Sequence, residues 1–436
     1  MTTRREALVV AAGVLGGGVL GVATGCDHRT RPVGGTAPAA AGAVGDLLFV
    51  QRSGGLVLLD AATGRPAVTS GADLASPDWS RVASAATTTF GTRYELRDVR
   101  TGRLISGGTL RDLLEPRVIS TAGWLVALAT PAGPGADPYR PAGRDRTTVV
   151  VADTGGERAR IELAGNIEPE AFSADETGLF VLEYLPPSAP DRYRVRRLDL
   201  TSGHLDPLLT RLKVPVPAGA EEEMRGEGRQ AVFDRTRQML FTLYTHQPDH
   251  EHTRDLIAGT TSAPRVHAFV HSLHLAQQWA YCVDLPAPFG EGPAAGHAIT
   301  LSPDGSRLYV VDASSGSLAE IDPDSLTIAS RRRFDPVWAP NGEAAAAVTP
   351  DGRTLLVGGR GIAAVPVAAG GAATGTSEWS ATPSPVRGLA VAGDRVYLGQ
   401  ENAVVRRDPK TGRQLGHIPV PGLVRLRHVT ARPAVD

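Results

Sequence analysis

Cysteine is nearly absent, with two in 436 residues, Cys26 and Cys282. That leaves no paired-cysteine zinc pattern and no cysteine set for a redox cluster. Lysine is as scarce, only Lys213 and Lys410, so almost all positive charge is arginine. With the excess of Ala and Gly, this points to a GC-rich bacterial gene and to no particular chemistry. Net charge is −1, which excludes bulk attraction to nucleic acid or anionic lipid. Aromatic residues make up 5%, too few for a platform that stacks sugars. The chain also lacks a nucleophile elbow, a Walker phosphate loop and the His-Glu-x-x-His zinc signature.

What the chain does have is repetition. Residues 296–330 read as four short strands joined by turns. Ser302-Pro303-Asp304-Gly305 precedes Leu308-Tyr309-Val310-Val311, a β-rich run suited to a buried strand. The same turn returns as Thr349-Pro350-Asp351-Gly352, as Ser76-Pro77-Asp78-Trp79 and, more loosely, as Ser173-Ala174-Asp175. A second turn recurs after third strands: Asp60-Ala61-Ala62-Thr63-Gly64, Asp98-Val99-Arg100-Thr101-Gly102, Asp199-Leu200-Thr201-Ser202-Gly203 and Asp408-Pro409-Lys410-Thr411-Gly412. In such turns an Asp side chain folds back onto backbone N–H groups and Gly supplies a positive φ. A period of roughly 40–50 residues with four strands per unit is the signature of a β-propeller, in which each sheet covers its neighbour.

The expected fold class is therefore all-β, a single β-propeller of eight four-stranded blades over 45–436, with seven as the alternative count. The segment 423–429 is placed as the inner strand missing from the first unit, closing the ring with both ends of the domain. These turns resemble those of bacterial propellers of the YVTN and quinoprotein-like type across 45–430. Leu308-Tyr309-Val310-Val311-Asp312 stands where that repeat has Tyr-Val-Thr-Asn, and the resemblance implies a scaffold more than a function.

Residues 1–26 read as an export signal. Arg4-Arg5 precede an apolar, Gly-rich run over 7–22, and the segment resembles a twin-arginine signal. Ala23-Thr24-Gly25-Cys26 resembles a lipobox, which implies lipidation at Cys26 and a domain held on the outer face of the membrane. Residues 27–44, rich in Ala, Gly, Pro and Thr, read as a flexible linker. Cys282 then has no partner and reads as a small buried hydrophobe.

Insertions point to function. Units three, four and five carry long loops between their second and third strands, at 131–146, 186–192 and 246–265, and 211–229 joins unit four to unit five. In a propeller all four fall on one face, and loops of this length in a compact domain carry function or are disordered. Six of the eleven histidines lie at 246, 250, 252, 267, 271 and 274. His246, Asp249, His250 and His252 are the candidate ligand-binding or metal-binding group, with His246, His250 and His252 as the imidazole ligands of a divalent metal. Packing of these side chains against the scaffold and a pH-sensitive or partner-binding surface are the competing readings. Glu221-Glu222-Glu223 reads as a solvated loop, with a metal ligand as the lesser alternative, and Arg331-Arg332-Arg333 as charge guarding an outer blade edge. The leading expectation is a monomeric, non-enzymatic, membrane-tethered module that binds a protein or small molecule through blades 3–5. A metal-dependent hydrolase or lactonase using the His-rich loop is the alternative, and no catalytic residue stands out.

Overall fold

The computed structural model describes residues 45–431 apart from 68–71, 134–139, 226–229, 261–265, 341, 368–376, 381 and 383. The export signal, Cys26 and the linker therefore lie outside the described residues. The chain forms eight antiparallel blades, and seven of them are four-stranded sheets whose strands follow chain order from the axis outward. Blade 6 is the sequence repeat made visible: His297–Leu301, Leu308–Asp312, Ser317–Asp322 and Thr327–Arg333. Blades 2, 3, 4, 5, 7 and 8 occupy 74–110, 115–164, 166–207, 230–284, 345–380 and 389–419.

Blade 1 closes the ring. Its strands Leu47–Arg52 and Gly55–Asp60 pair with each other, and Leu423–Thr430 from the other end of the chain pairs with Leu47–Arg52. Isolated bridges from Pro66 and Ala72 to Leu59 and Leu56 mark its outer edge. The expected closure by 423–429 is thus present, and the count is eight rather than seven. Tyr397 of blade 8 adds a 2.5 Å hydrogen bond from its hydroxyl to Asp46 Oδ2.

The repeated turns owe their shape to local hydrogen bonds. Asp304 Oδ1 accepts from Ser302 Oγ at 2.6 Å and from the Ser306 N–H at 3.0 Å, while Ser302 Oγ accepts the Arg307 N–H at 2.9 Å. Asp78, Asp175 and Asp351 do the same for their own units. The fourth turn position needs a left-handed backbone: Gly305 has φ 71° and Gly352 69°, while Trp79 and Glu176 accept 60° and 57° in the same place.

Packing between blades follows from strand alternation. Neighbouring residues of a central strand face opposite blades: Tyr309 packs towards blade 7 and Val310 towards blade 5, Val357 towards blade 6 and Leu356 towards blade 8. Eight apolar clusters result, one in each gap around the ring. Each fully buried Leu, Val or Phe in them contributes about 1.5–3 kcal/mol relative to exposure. The inner strands of blades 5, 6, 7, 8 and 1 surround an axial cavity of about 550 Å³.

The outer strands behave as edges. In Thr327–Arg333 the exposed residues alternate, with Arg331 and Arg333 outward and Arg332 turned to Glu320 at 2.8 Å. Charge on that edge opposes pairing with another sheet.

Candidate functional site

The site lies off the axis, in the outer halves of blades 4 and 5. The third strand of blade 4, Arg192–Asp199, and the outer two strands of blade 5, Ala268–His274 and Trp279–Asp284, form its floor. Alternation places Phe269, Leu273, Ala280 and Cys282 on the blade 5 face that meets blade 4, and His271 stands opposite Cys282 in the strand register.

Two insertions build the rest. Residues 208–225 leave blade 4, and Leu209 bridges to Trp279 on blade 5 while Met224 bridges back to Tyr193 on blade 4. The insertion after Met239–Thr245 folds into one short helix, Thr253–Ala258, which ends at Gly259 with φ 63°. A cavity of about 470 Å³ lies between these segments and the blades. Its walls include Leu208, Val216, Ile257 and Tyr281, and Leu212, 86% exposed, lies at its rim. Arg211 and Arg254 stand over the Tyr281 ring at 5.5 and 5.3 Å.

At one end of the cavity is a cluster of ionisable groups. Cys282 Sγ donates to Glu222 Oε1 at 3.0 Å, and the Thr253 N–H donates to Glu222 Oε2 at 3.1 Å. His252 Nδ1 faces Glu222 Oε2 at 3.6 Å, too long for a hydrogen bond, while its Nε2 is hydrogen-bonded to Asp284 Oδ1. Arg254 reaches Asp284 Oδ2 at 2.7 Å and the Cys282 carbonyl at 2.9 Å. His271 Nε2 is 3.9 Å from Glu222 Oε1. His250, 5% exposed, lies on the Phe269 ring with centroids 4.3 Å apart. Neither of its nitrogens has a partner in close hydrogen-bonding geometry, although the Glu223 backbone is near enough to act on the ring. One ligand atom from each of Glu222, His250, His252 and Cys282 lies within 4.8 Å of the others, and these four are the one such set of metal-capable groups among the described residues.

Burial and neighbours set the protonation states. Burial pushes His252 down, but the Asp284 and Glu222 carboxylates outweigh it and raise its pKa to about 9. Burial lowers His250 to about 4, only partly offset by Glu222. Burial acts upward on Glu222, yet His252, His250 and His271 hold it well below the usual carboxylate range. Cys282 is pushed up by burial and by Glu222, so it stays a thiol.

Of the four residues singled out in the sequence, the fold brings His250 and His252 into this cluster. His246 and Asp249 lie at corners of the loop, with left-handed φ of 55° and 63°, and His246 Nδ1 contacts Thr245 Oγ1 at 3.1 Å. The carboxylate in the cluster is Glu222. The solvated-loop reading of 221–223 is corrected. Arg194 and Arg196 bind Glu221 at 2.8 Å each, and Arg192 binds Glu223 at 2.6 Å. Arg192, Arg194 and Arg196 share one strand face, and Glu221 and Glu223 are spaced to meet it. That complementarity is a signal the sequence carried. Cys282 is buried as expected, but as a hydrogen-bond donor rather than a plain hydrophobe. The insertion of blade 3 joins that of blade 4, where the Arg144 N–H donates to the Pro187 carbonyl at 2.9 Å.

No protein-family model and no curated protein matches the chain. Solved structures resemble it distantly. A periplasmic gluconolactonase of Pseudomonas aeruginosa is 18% identical over 80% of this chain and 99% of that one, with a TM-score of 0.40. The β-propeller domain of Cps50 from Myceliophteria thermophila gives 14%, 71%, 85% and 0.36, and BamB of Moraxella catarrhalis 12%, 78%, 86% and 0.42, in the same order. Likenesses at this level bear on neither activity nor ligand.

Proposed function

We propose that this propeller is a binding module for a small, largely apolar molecule, held between blades 4 and 5. The observation that carries the reading is the cavity of about 470 Å³ with apolar walls and a polar end. That volume and composition suit a small organic ligand. Binding rather than turnover is favoured by the cluster's chemistry. The Cys282 thiol is held protonated, and His252 is engaged by two carboxylates, so neither is a poised nucleophile or base.

The same reading makes the protein an exported monomer tethered through Cys26, with no role for nucleic acid. Its support is the apolar run over 7–22, the Ala23-Thr24-Gly25-Cys26 sequence and the near-zero net charge.

The test is a thermal-shift screen of the purified protein against small amphiphiles and aromatic compounds. A true ligand at about 100 times its Kd stabilises the fold by about 2.7 kcal/mol. Ala280 lines the cavity and is half-buried, so Ala280→Trp fills it. Hits are expected to vanish in that variant. A hit whose stabilisation survives Ala280→Trp binds elsewhere and overturns the assignment.

A further inference from the structure

The geometry points to a transition-metal site, which we propose is formed by Glu222, His250, His252 and Cys282 and takes Zn²⁺. The inference stands independently of what occupies the cavity. It rests first on the donor set: two imidazoles, one sulfur and one carboxylate converge from three segments, with ligand atoms within 4.8 Å of one another. A four-coordinate ion with bonds of roughly 2.0–2.3 Å would draw such atoms slightly closer together. Sulfur and imidazole donors select zinc and its neighbours, whereas Mg²⁺ and Ca²⁺ need more oxygen ligands than the single carboxylate offers.

The second observation is His250. A side chain 5% exposed with no close hydrogen bond at either nitrogen, and only the Glu223 backbone near the ring, is costly in a finished polar network. An ion accepting the lone pair of one nitrogen would satisfy it and leave the other to the Glu223 backbone. The third is the arrangement around His252. Asp284 takes the Nε2 side of the ring, and Arg254 fixes Asp284 at 2.7 Å, which leaves Nδ1 directed at Glu222. A carboxylate behind a ligating imidazole sets its tautomer and orientation in metal sites generally. The Thr253 N–H fixes Glu222 in turn. Glu222, His252 and Cys282 border the cavity, so an ion has a way in. Binding forms four metal–ligand bonds and sends the Cys282 thiol proton, and any proton on His252 Nδ1, to solvent.

The experiment strips the purified protein with a chelator and titrates it with Co²⁺ and then Zn²⁺. The expected result is one Co²⁺ per chain, a thiolate-to-cobalt charge-transfer band in the near ultraviolet, and displacement by Zn²⁺. Cys282→Ser should abolish the band. His250→Ala should weaken Co²⁺ by more than the roughly 10–100-fold cost of losing an outer partner. His246→Ala should bind as the parent does. Should Cys282→Ser not fold, protection of Cys282 from a thiol reagent by Zn²⁺ in the parent replaces it. A folded parent that shows no thiolate band and no protection overturns the proposal, as does Co²⁺ held equally by folded His250→Ala. Small-molecule hits that persist in the chelated protein would leave the cavity reading standing even then.

Discussion

Cys282 and Glu222, 60 residues apart in sequence, meet as thiol donor and carboxylate acceptor at 3.0 Å. One lies on the outer strand of blade 5, the other in the connection that leaves blade 4. Their contact ties the insertions to the scaffold. Glu222 also accepts the Thr253 N–H and faces two imidazoles. Glu222→Ala strands all of these donors, and removing one partner of a buried ion pair costs about 3–5 kcal/mol. Glu223 is a useful contrast, since its pair with Arg192 is more exposed. Glu223→Ala should change stability by less than about 1 kcal/mol. Urea denaturation of the two variants measures both. Equal losses would show that Glu222 is not the pivot of the cluster.

Ring closure gives a second prediction. Leu426 is buried in the seam between blades 8 and 1, and its N–H donates to the Arg387 carbonyl at 2.7 Å. Leu426→Ala is expected to cost about 2–5 kcal/mol. Truncation before Leu423 removes the inner partner of Leu47–Arg52 and the His428 ring stacked on Trp79 at 4.7 Å. The truncated chain should aggregate through the opened edge, which size-exclusion chromatography would reveal. A monomeric, cooperatively unfolding truncation would show that the seam is dispensable.

The parts of this molecule that could be read from sequence are those fixed within a few residues. Asp304 and its counterparts shape their turns through groups two or three positions away, so the repeat and the blade boundaries were visible. So was the closing strand, because blade 1 lacked one. The cluster was only half visible. His250 and His252 stood out as a pair, but Glu222 sits in an acidic run that looks solvated, and Cys282 and Asp284 belong to an ordinary strand. Only the packing of blade 4 against blade 5 sets them side by side. The helix Thr253–Ala258 is not legible in the sequence because six residues between polar histidines carry no amphipathic period.

A third prediction concerns acid. His297 is 1% exposed; its Nε2 accepts the Gly290 N–H at 3.0 Å and its Nδ1 lies 3.0 Å from the Pro293 carbonyl. Those partners require the neutral ring. Burial lowers its pKa, and Asp312 at 3.9 Å offsets this only in part. The unfolded chain therefore binds a proton below about pH 6.5 that the folded chain does not yet take. His297 then contributes nothing to pH dependence above that value, and stability declines as pH falls from it towards the lowered folded pKa. His297→Gln can keep both hydrogen bonds without titrating. Its stability should fall less steeply than the parent's over that window in denaturant titrations. Identical slopes would show that His297 is not a source of the acid sensitivity.

Anchoring is tested by fractionation. Cys26→Ser should move the protein from the membrane to the soluble extracytoplasmic fraction. A variant that stays in the membrane as fully as the parent would rule out Cys26 as the anchor.

In the proposed function, ligand is held between blades 4 and 5 and not in the axial cavity. The most direct measurement is equilibrium binding of an environment-sensitive apolar fluorophore to the parent, to Ala280→Trp and to Ala346→Trp, since Ala280 lines the off-axis cavity and Ala346 the axial one. Ala280→Trp is expected to weaken binding at least tenfold, about 1.4 kcal/mol, while Ala346→Trp binds as the parent does. Loss of binding in Ala346→Trp with full binding in Ala280→Trp would contradict it.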